Sequence, residues 1–320
     1  MTNTTTTAHT NIALIKYWGK KDAQLRLPYT DSLSLTLDGY YTTTTTAFSD
    51  ATHDQIYLNK QLASTKFAQR TKNYLDLVRQ KYQVEQHFIV QTDNFVPTAA
   101  GLASSASGFA ALAGSLNKLL NLDLDNTQLS RLARLGSGSA ARSIFGGFVR
   151  WYHGNDDETS YAAPINNAND IPIRLLSVVF DTNTKKTTST TGMEHAVQTS
   201  PYFVTWPQIV QQDLQQMLHA LDQKDLKLVG QIAENNALAM HALNWTARPA
   251  FSYFSADTTD LLAFIRRLRQ QGLLAYATID AGPNVKIISS TDDISVVQQQ
   301  ISQHYPSAQT TILKPGTAIH

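Results

Sequence analysis

Five short segments carry residue types suited to chemistry on a charged substrate. PTAAGLASSASG, Pro97 to Gly108, has small side chains that would let a phosphate approach the backbone. A helix starting near Ser104 would offer free N–H groups and the positive end of its dipole to an anion. Ser104, Ser105 and Ser107 add hydroxyls. GSGSAAR, Gly136 to Arg142, sets two serines and an arginine among glycines. The planar guanidinium fork matches a carboxylate or a phosphate. NIALIKYWGK, Asn11 to Lys20, follows an apolar strand with two lysines, a tyrosine and a tryptophan. TIDAGPNVK, Thr278 to Lys286, ends an apolar strand on Asp280 just before a tight turn. A carboxylate on a rigid strand end is well placed for a base, although an aspartate there also caps turns. KKTTSTTGM, Lys185 to Met193, clusters hydroxyls and lysines between a strand and a helix. That composition suits a phosphate contact or an ordinary helix N-terminus.

Other chemistries are excluded. The chain has no cysteine, which removes disulfides, zinc ribbons and thiol nucleophiles. The small-residue loop has neither GK[ST] nor GxGxxG. No HExxH, no His beside an acidic cluster and no GxSxG occurs, so the spacing predicts no metal site and no hydrolase elbow. His241, with Ala237 and Met240 in a helix, reads as a structural residue. A formal charge of +1 over 320 residues gives no footprint for nucleic acid. The run Ile12 to Ile15 is too short for a signal-peptide core, and Leu175 to Phe180 falls far short of the roughly twenty residues of a membrane span. A cytoplasmic protein with no membrane partner is expected.

The elements that must position these segments alternate in irregular order. Residues 33–37 and 41–48 read as two strands joined by a turn at Asp38-Gly39, the second built on threonines. Helical spacing marks 65–82, and 87–92 reads as a strand. Helices are expected at about 105–120 and 127–135, then a strand at 146–152 and a surface loop over 153–170. The second half opens with a strand at 174–180. Helices near 207–221 and 225–243 follow, then one at 258–271 with Asp257 as N-cap and Gly272 as stop. The tail reads strand 273–279, strand 285–289, helix 294–304 and strand 309–313. This pattern predicts an α+β fold rather than a doubly wound sheet.

The five segments together, in this order from residue 11 to residue 284, resemble the diphosphomevalonate decarboxylases of the GHMP kinase superfamily. The resemblance implies a two-lobed α+β fold with a deep cleft, divided here into 1–172, an ATP-binding lobe, and 173–320. It implies ATP-dependent conversion of mevalonate 5-diphosphate to isopentenyl diphosphate, ADP, phosphate and carbon dioxide, with Mg²⁺ and a homodimer. By position, Pro97, Gly101, Leu102, Ala103, Ser104, Ser105, Ala106 and Ser107 would cradle the ATP phosphates, with Thr92 and Asn94 nearby. Lys185 or Lys186 would face them as well. Asp280 would act on the tertiary hydroxyl beside Lys16, and Arg142 would hold the carboxylate. Tyr17, Lys20, Arg70, Ser137, Ser139 and Ser189 would surround the diphosphate. Thr188-Ser189 departs from the family's frequent serine pair but keeps the hydroxyl. A relative that stops after 3-phosphorylation, a decarboxylase of the monophosphate and an inactive nucleotide-binding module are the competing readings. The presence of Lys16, Arg142 and Asp280 argues for the full reaction.

Overall fold

The computed structural model describes residues 3–96, 104–166, 170–180 and 187–320. Strand β1 (Asn3–Ile15) leads through two short strands, β2 (Lys20–Asp22) and β3 (Leu27–Pro28), into β4 (Ser32–Ser49). β4 is a single strand of 18 residues, not two strands joined by a turn. Antiparallel β1 lies along its whole length, from Asn3 opposite Ala47 to Ile15 opposite Leu33, so the chain never reverses. Asp38-Gly39 marks an irregularity in this ladder, with Gly39 at φ +94°. The dipeptide that favours hairpin turns serves here as a kink, for which glycine's access to positive φ is equally suited.

On its other edge β4 pairs with β7 (His87–Asn94) through its second half and β8 (Phe148–Trp151) through its first. β5 (Gln55–Leu58), β6 (Gln61–Leu62) and β9 (Ala162–Pro164) complete the seven-stranded sheet. β9 lies inside the stretch expected to be loop. The threonines divide by the period of two: Thr42, Thr44 and Thr46 are buried. Thr42 and Thr46 bond Ser107 and Ser115 of α2 (Ser104–Leu119), both at 2.7 Å. Thr43 and Thr45 pair across the ladder with Thr7 and Thr5. Hydroxyl ladders and β-branched side chains thus make a polar sequence competent as a strand. Helices α1 (Thr65–Tyr82) and α3 (Asn126–Gly136) pack with α2 on one core. Asp125 and Gln128 form a capping box that starts α3.

The second half is an antiparallel sheet in the order β11 (Tyr276–Ile279), β12 (Val285–Ser290), β10 (Ile173–Val179), β13 (Gln309–Leu313). Helices α7 (Ala256–Gln270) and α8 (Ile294–His304) cover one face. α7 starts two residues earlier than Asp257 would allow, because Ser255 and Thr258 form its capping box, and Asp257 sits in the first turn. α4 (Ser189–Thr199), α5 (Trp206–Asp222) and α6 (Leu226–Trp245) fill the space between the sheets. The core there mixes Ile12, Leu33 and Leu35 with Leu175, Trp206 and Val229, so the halves share apolar interior. The last residues return to the first sheet: Thr7 and His320 exchange backbone hydrogen bonds, and Gly147 N–H reaches Gly316 O.

Candidate active site

Lys16 follows directly on β1, and Asp280 follows directly on β11. Their side chains meet across the seam, Nζ to Oδ1 at 2.6 Å. Lys16 is 1% exposed, so the ammonium is held almost without water. It also donates to Ala13 O at 2.8 Å. Burial pushes the Lys16 pKa down while the Asp280 carboxylate holds it up. Both strand ends are fixed by α6. Lys16 N–H donates to Asn236 Oδ1 at 2.8 Å, and Asn236 Nδ2 donates to Asp213 of α5 at 2.7 Å. Glu234 accepts Ala277 N–H at 2.7 Å and is itself clamped by Arg269 through two 2.9 Å bonds. His241 Nε2 lies 3.3 Å from Ile279 O, one residue before Asp280. Burial lowers the His241 pKa to about 3, with the Lys16 charge adding to the effect, so the ring is neutral and donates there. Thr258 Oγ1 donates to Pro283 O at 2.6 Å and fixes the turn beyond Asp280.

Arg142 lies in a 3-10 helix, Gly138–Ile144, and is buried. Nη1 donates to Ser32 Oγ at 2.5 Å and Nη2 to Asn11 Oδ1 at 3.3 Å, with the guanidinium 5.8 Å from the Trp151 ring. Nε has no hydrogen-bond partner among the described residues. Burial lowers the pKa to about 10, opposed by Asp280 and Tyr17, which leaves it charged at neutral pH. Asn11 is locked in turn by Ser139 O at 3.0 Å and Ser143 Oγ at 2.8 Å. A fixed cation with spare donors next to a Lys–Asp pair whose ammonium is buried can orient a carboxylate beside a general base.

The phosphate-type residues gather around Tyr17. Its ring stands edge-on to Trp151 at 4.9 Å, and its buried hydroxyl has no partner among the described residues. Burial holds that phenol protonated. Ser105, in the first turn of α2, is 3.2 Å from Ser137, which is 3.3 Å from Ser139. Arg70 donates to Gly136 O at 3.3 Å and stacks 4.8 Å over Phe109. Lys20 Nζ is 3.6 Å from Glu194 of α4. Gly19, at φ +104° against Phe203, and the Trp206 Nε1 bond to Trp18 O at 3.0 Å hold the Tyr17–Lys20 segment in place.

Other predicted residues sit differently. Ser107 and Thr92 are turned into the first sheet, bonded to Thr42 and Thr44. Ala106 is fully buried. Asn94 takes Thr42 Oγ1 and donates to Val96 O. Ser104 and Ser189 are exposed at the first turns of α2 and α4. Pro97, Gly101, Leu102, Ala103, Lys185 and Lys186 lie outside the described residues. Among the described residues no group of three or more His, Asp or Glu side chains could hold a metal ion. Sequence reasoning missed Asn11, Ser32, Asn236 and the position of His241. Asn236 carried a signal, a polar residue on the apolar face of a helix.

The "Diphosphomevalonate decarboxylase-like N-terminal domain" profile matches residues 8–162, and the "Mevalonate 5-diphosphate decarboxylase C-terminal domain" profile matches residues 175–316. This chain belongs to the diphosphomevalonate decarboxylase family. It is 36% identical to the diphosphomevalonate decarboxylase of Candida albicans over 95% of this chain and 89% of that one. It is 34% identical to the human protein of that name, over 94% and 80%. The mevalonate diphosphate decarboxylase structure from Staphylococcus aureus superposes with a TM-score of 0.95 at 40% identity, covering 99% and 97%. A structure of "MDDEF in complex with MVAPP, AMPPCP and Magnesium" also gives 0.95, at 42% identity over 99% and 98%. The α+β fold and the enzyme class expected from the motifs are those of the family.

Proposed function

We propose that this decarboxylase phosphorylates the 3-hydroxyl of mevalonate 5-diphosphate with ATP and then expels phosphate and carbon dioxide, leaving isopentenyl diphosphate and ADP. The observation that carries this reading is the pairing of buried Lys16 with partly exposed Asp280 beside Arg142. A tertiary hydroxyl is a poor leaving group and its phosphate ester is a good one. Asp280 orients the hydroxyl and takes its proton as the phosphoryl group arrives. This is a role for a weak base, because the transition state places little demand on the nucleophile. Lys16 holds that carboxylate in one position and balances its charge. Departure of phosphate then breaks the C–O bond, and the C–CO₂ electron pair closes into the alkene. Asp280 faces the developing cation. Arg142 aligns the breaking bond through the substrate carboxylate. A tighter grip would stabilise the ground state and oppose the loss of carbon dioxide.

Tyr17, Lys20, Arg70, Ser137, Ser139 and Ser189 take the diphosphate end. The N-terminal N–H groups of α2, with Ser104 and Ser105, take the ATP phosphates. A Mg²⁺ ion would be carried mainly by phosphate oxygens and water, as that ion prefers. It would neutralise phosphate charge. The structure with MVAPP, AMPPCP and magnesium is of a protein this chain resembles over nearly its full length. The division into an ATP-binding lobe, 1–172, and a second lobe, 173–320, a homodimer and a cytoplasmic location complete the proposal.

The test is a product assay with ATP, Mg²⁺ and, separately, mevalonate, its 5-phosphate and its 5-diphosphate. ADP, phosphate and carbon dioxide in equal amounts from the diphosphate alone are expected. ADP without carbon dioxide would make this a 3-kinase, and carbon dioxide from the monophosphate alone would move the specificity.

A further inference from the structure

Arg26 lies between β2 and β3 at φ +54°, a backbone region that a bulky side chain rarely adopts. Two contacts with the end of α3 hold it there. Buried Arg134 donates to Leu25 O at 3.0 Å, and Arg26 Nε donates to Leu135 O at 2.6 Å. Asp22 Oδ1 accepts Leu25 N–H at 2.7 Å and closes the same loop. The next carbonyl, Gly136 O, takes Arg70. Two guanidiniums are therefore anchored on consecutive carbonyls, immediately before Ser137. Neither has a carboxylate within ion-pair distance among the described residues, while Lys20 has only the half-exposed Glu194 at 3.6 Å. The terminal nitrogens of Arg26 carry no described hydrogen bond. Arg26 bears on each neighbour: it lowers the pKa values of Lys20 and Arg70 and opposes the burial that raises Tyr17.

We propose that Arg26 is a third cation of the substrate's phosphate pocket, standing with Lys20 and Arg70 about Tyr17 and Ser137, and that it makes this pocket prefer a diphosphate end to a monophosphate end. Cations that repel one another without an acid between them stay folded together most readily where an anion joins them. A terminal diphosphate carries about one negative charge more than a monophosphate and a second set of acceptor oxygens, which suits an additional guanidinium. Helix capping explains only part of the arrangement: a cation at a helix C-terminus is favourable, but one cap does not call for two arginines and a neighbouring lysine.

The proposal rests on the decarboxylase reading for the name of the substrate, and the experiment separates the two. Arg26→Gln keeps a donor for Leu135 O and removes the charge. It should lower kcat/KM for mevalonate 5-diphosphate at least about tenfold, weaken binding of mevalonate 5-phosphate, by calorimetry, much less, and leave KM for ATP within about twofold. Arg26→Lys should recover part of the loss. Inorganic diphosphate should bind the wild type, by calorimetry, more tightly than Arg26→Gln by a similar factor. An equal loss of affinity for the 5-diphosphate and the 5-phosphate, accompanied by a lower Tm, would reduce Arg26 to a helix cap and overturn the proposal. So would unchanged binding of inorganic diphosphate. A wild type that releases no carbon dioxide yet binds inorganic diphosphate in an Arg26-dependent way would sink the decarboxylase reading and leave the pocket standing.

Discussion

Replacing Asp280 by Asn removes one charge from a pair whose two members are unequally buried. The Lys16 side chain is 2% exposed and that of Asp280 is 22% exposed. In Asp280→Asn the ammonium keeps Ala13 O at 2.8 Å but loses the carboxylate at 2.6 Å. Breaking a buried pair by removing one member costs about 3–5 kcal/mol, because the remaining charge stays uncompensated. Lys16→Met leaves the charge that is nearer to water and should cost less, about 1–3 kcal/mol. The double variant removes the stranded ammonium, leaving only Arg142 without the field of the carboxylate, and should be more stable than Asp280→Asn alone. Urea denaturation of the four proteins gives the cycle, and all three variants should lose decarboxylation by about a thousandfold or more while still binding ATP. The pH dependence has a definite sign. The folded pKa of Lys16 lies below the ordinary lysine value of 10.5, so between the two the folded state binds fewer protons and stability rises with pH. Asp280→Asn lowers the folded pKa further and should move the start of that rise towards neutrality. Equal stability of the two single variants, with parallel pH curves, would refute the buried-ammonium argument.

Three further predictions come from the same geometry. Arg142→Lys keeps the charge but loses the fork that spans Ser32 and Asn11, so kcat/KM should fall at least about a hundredfold with KM for ATP little changed. His241→Gln keeps a donor for Ile279 O but cannot titrate. The wild-type His contributes stability that is complete above the ordinary histidine value of 6.5 and is lost as pH falls towards about 3. The variant's acid limb should therefore be shallower, by up to about 1.4 kcal/mol per pH unit, when denaturation is followed from neutral to acid pH. Asn236→Leu removes the acceptor of Lys16 N–H and the partner of Asp213, whose pKa burial already raises. It should lower kcat more than it raises either KM, and an unchanged kcat would show that Lys16 needs no such anchor.

Much of this was legible from the residues, and the exceptions have physical causes. Helix 65–82 and helix 294–304 came out at their predicted ends because apolar spacing and tertiary burial agree there. Asp38-Gly39 misled because the same φ preference serves a hairpin and a bulge, and only the course of β1 decides between them. Asp257 was displaced as N-cap by Ser255, two residues earlier, whose partner Thr258 also reaches Pro283. At the site, Lys16, Asp280 and Arg142 could be singled out because the motifs that carry the family resemblance are local in sequence. Asn11, Ser32, Asn236 and Arg26 could not, since each acts through a contact between distant segments. Lys16 to Asn236 spans 220 positions, and Arg26 to Leu135 spans 109. Hydrophobic period carries no record of such pairings.

The distribution of those contacts bears on how the reaction is held together. Asp280 and Lys16 come from opposite ends of the sequence, so their 2.6 Å separation depends on how the two sheets are set against each other. Helix α6 is the common reference. It fixes the Lys16 backbone through Asn236, the Ala277 backbone through Glu234 and the Ile279 carbonyl through His241, all within eight residues of one helix. A rigid rod that touches both strand ends transmits less error than two sheets packed only through apolar contacts, whose side chains interlock but lack directional bonds. A misplacement of about 1 Å in reacting groups is enough to cost a hundredfold in rate. Glu234, Asn236 and His241 are buried on α6 at a desolvation cost that each offsets with its bonds. Their place in the fold follows from what they hold.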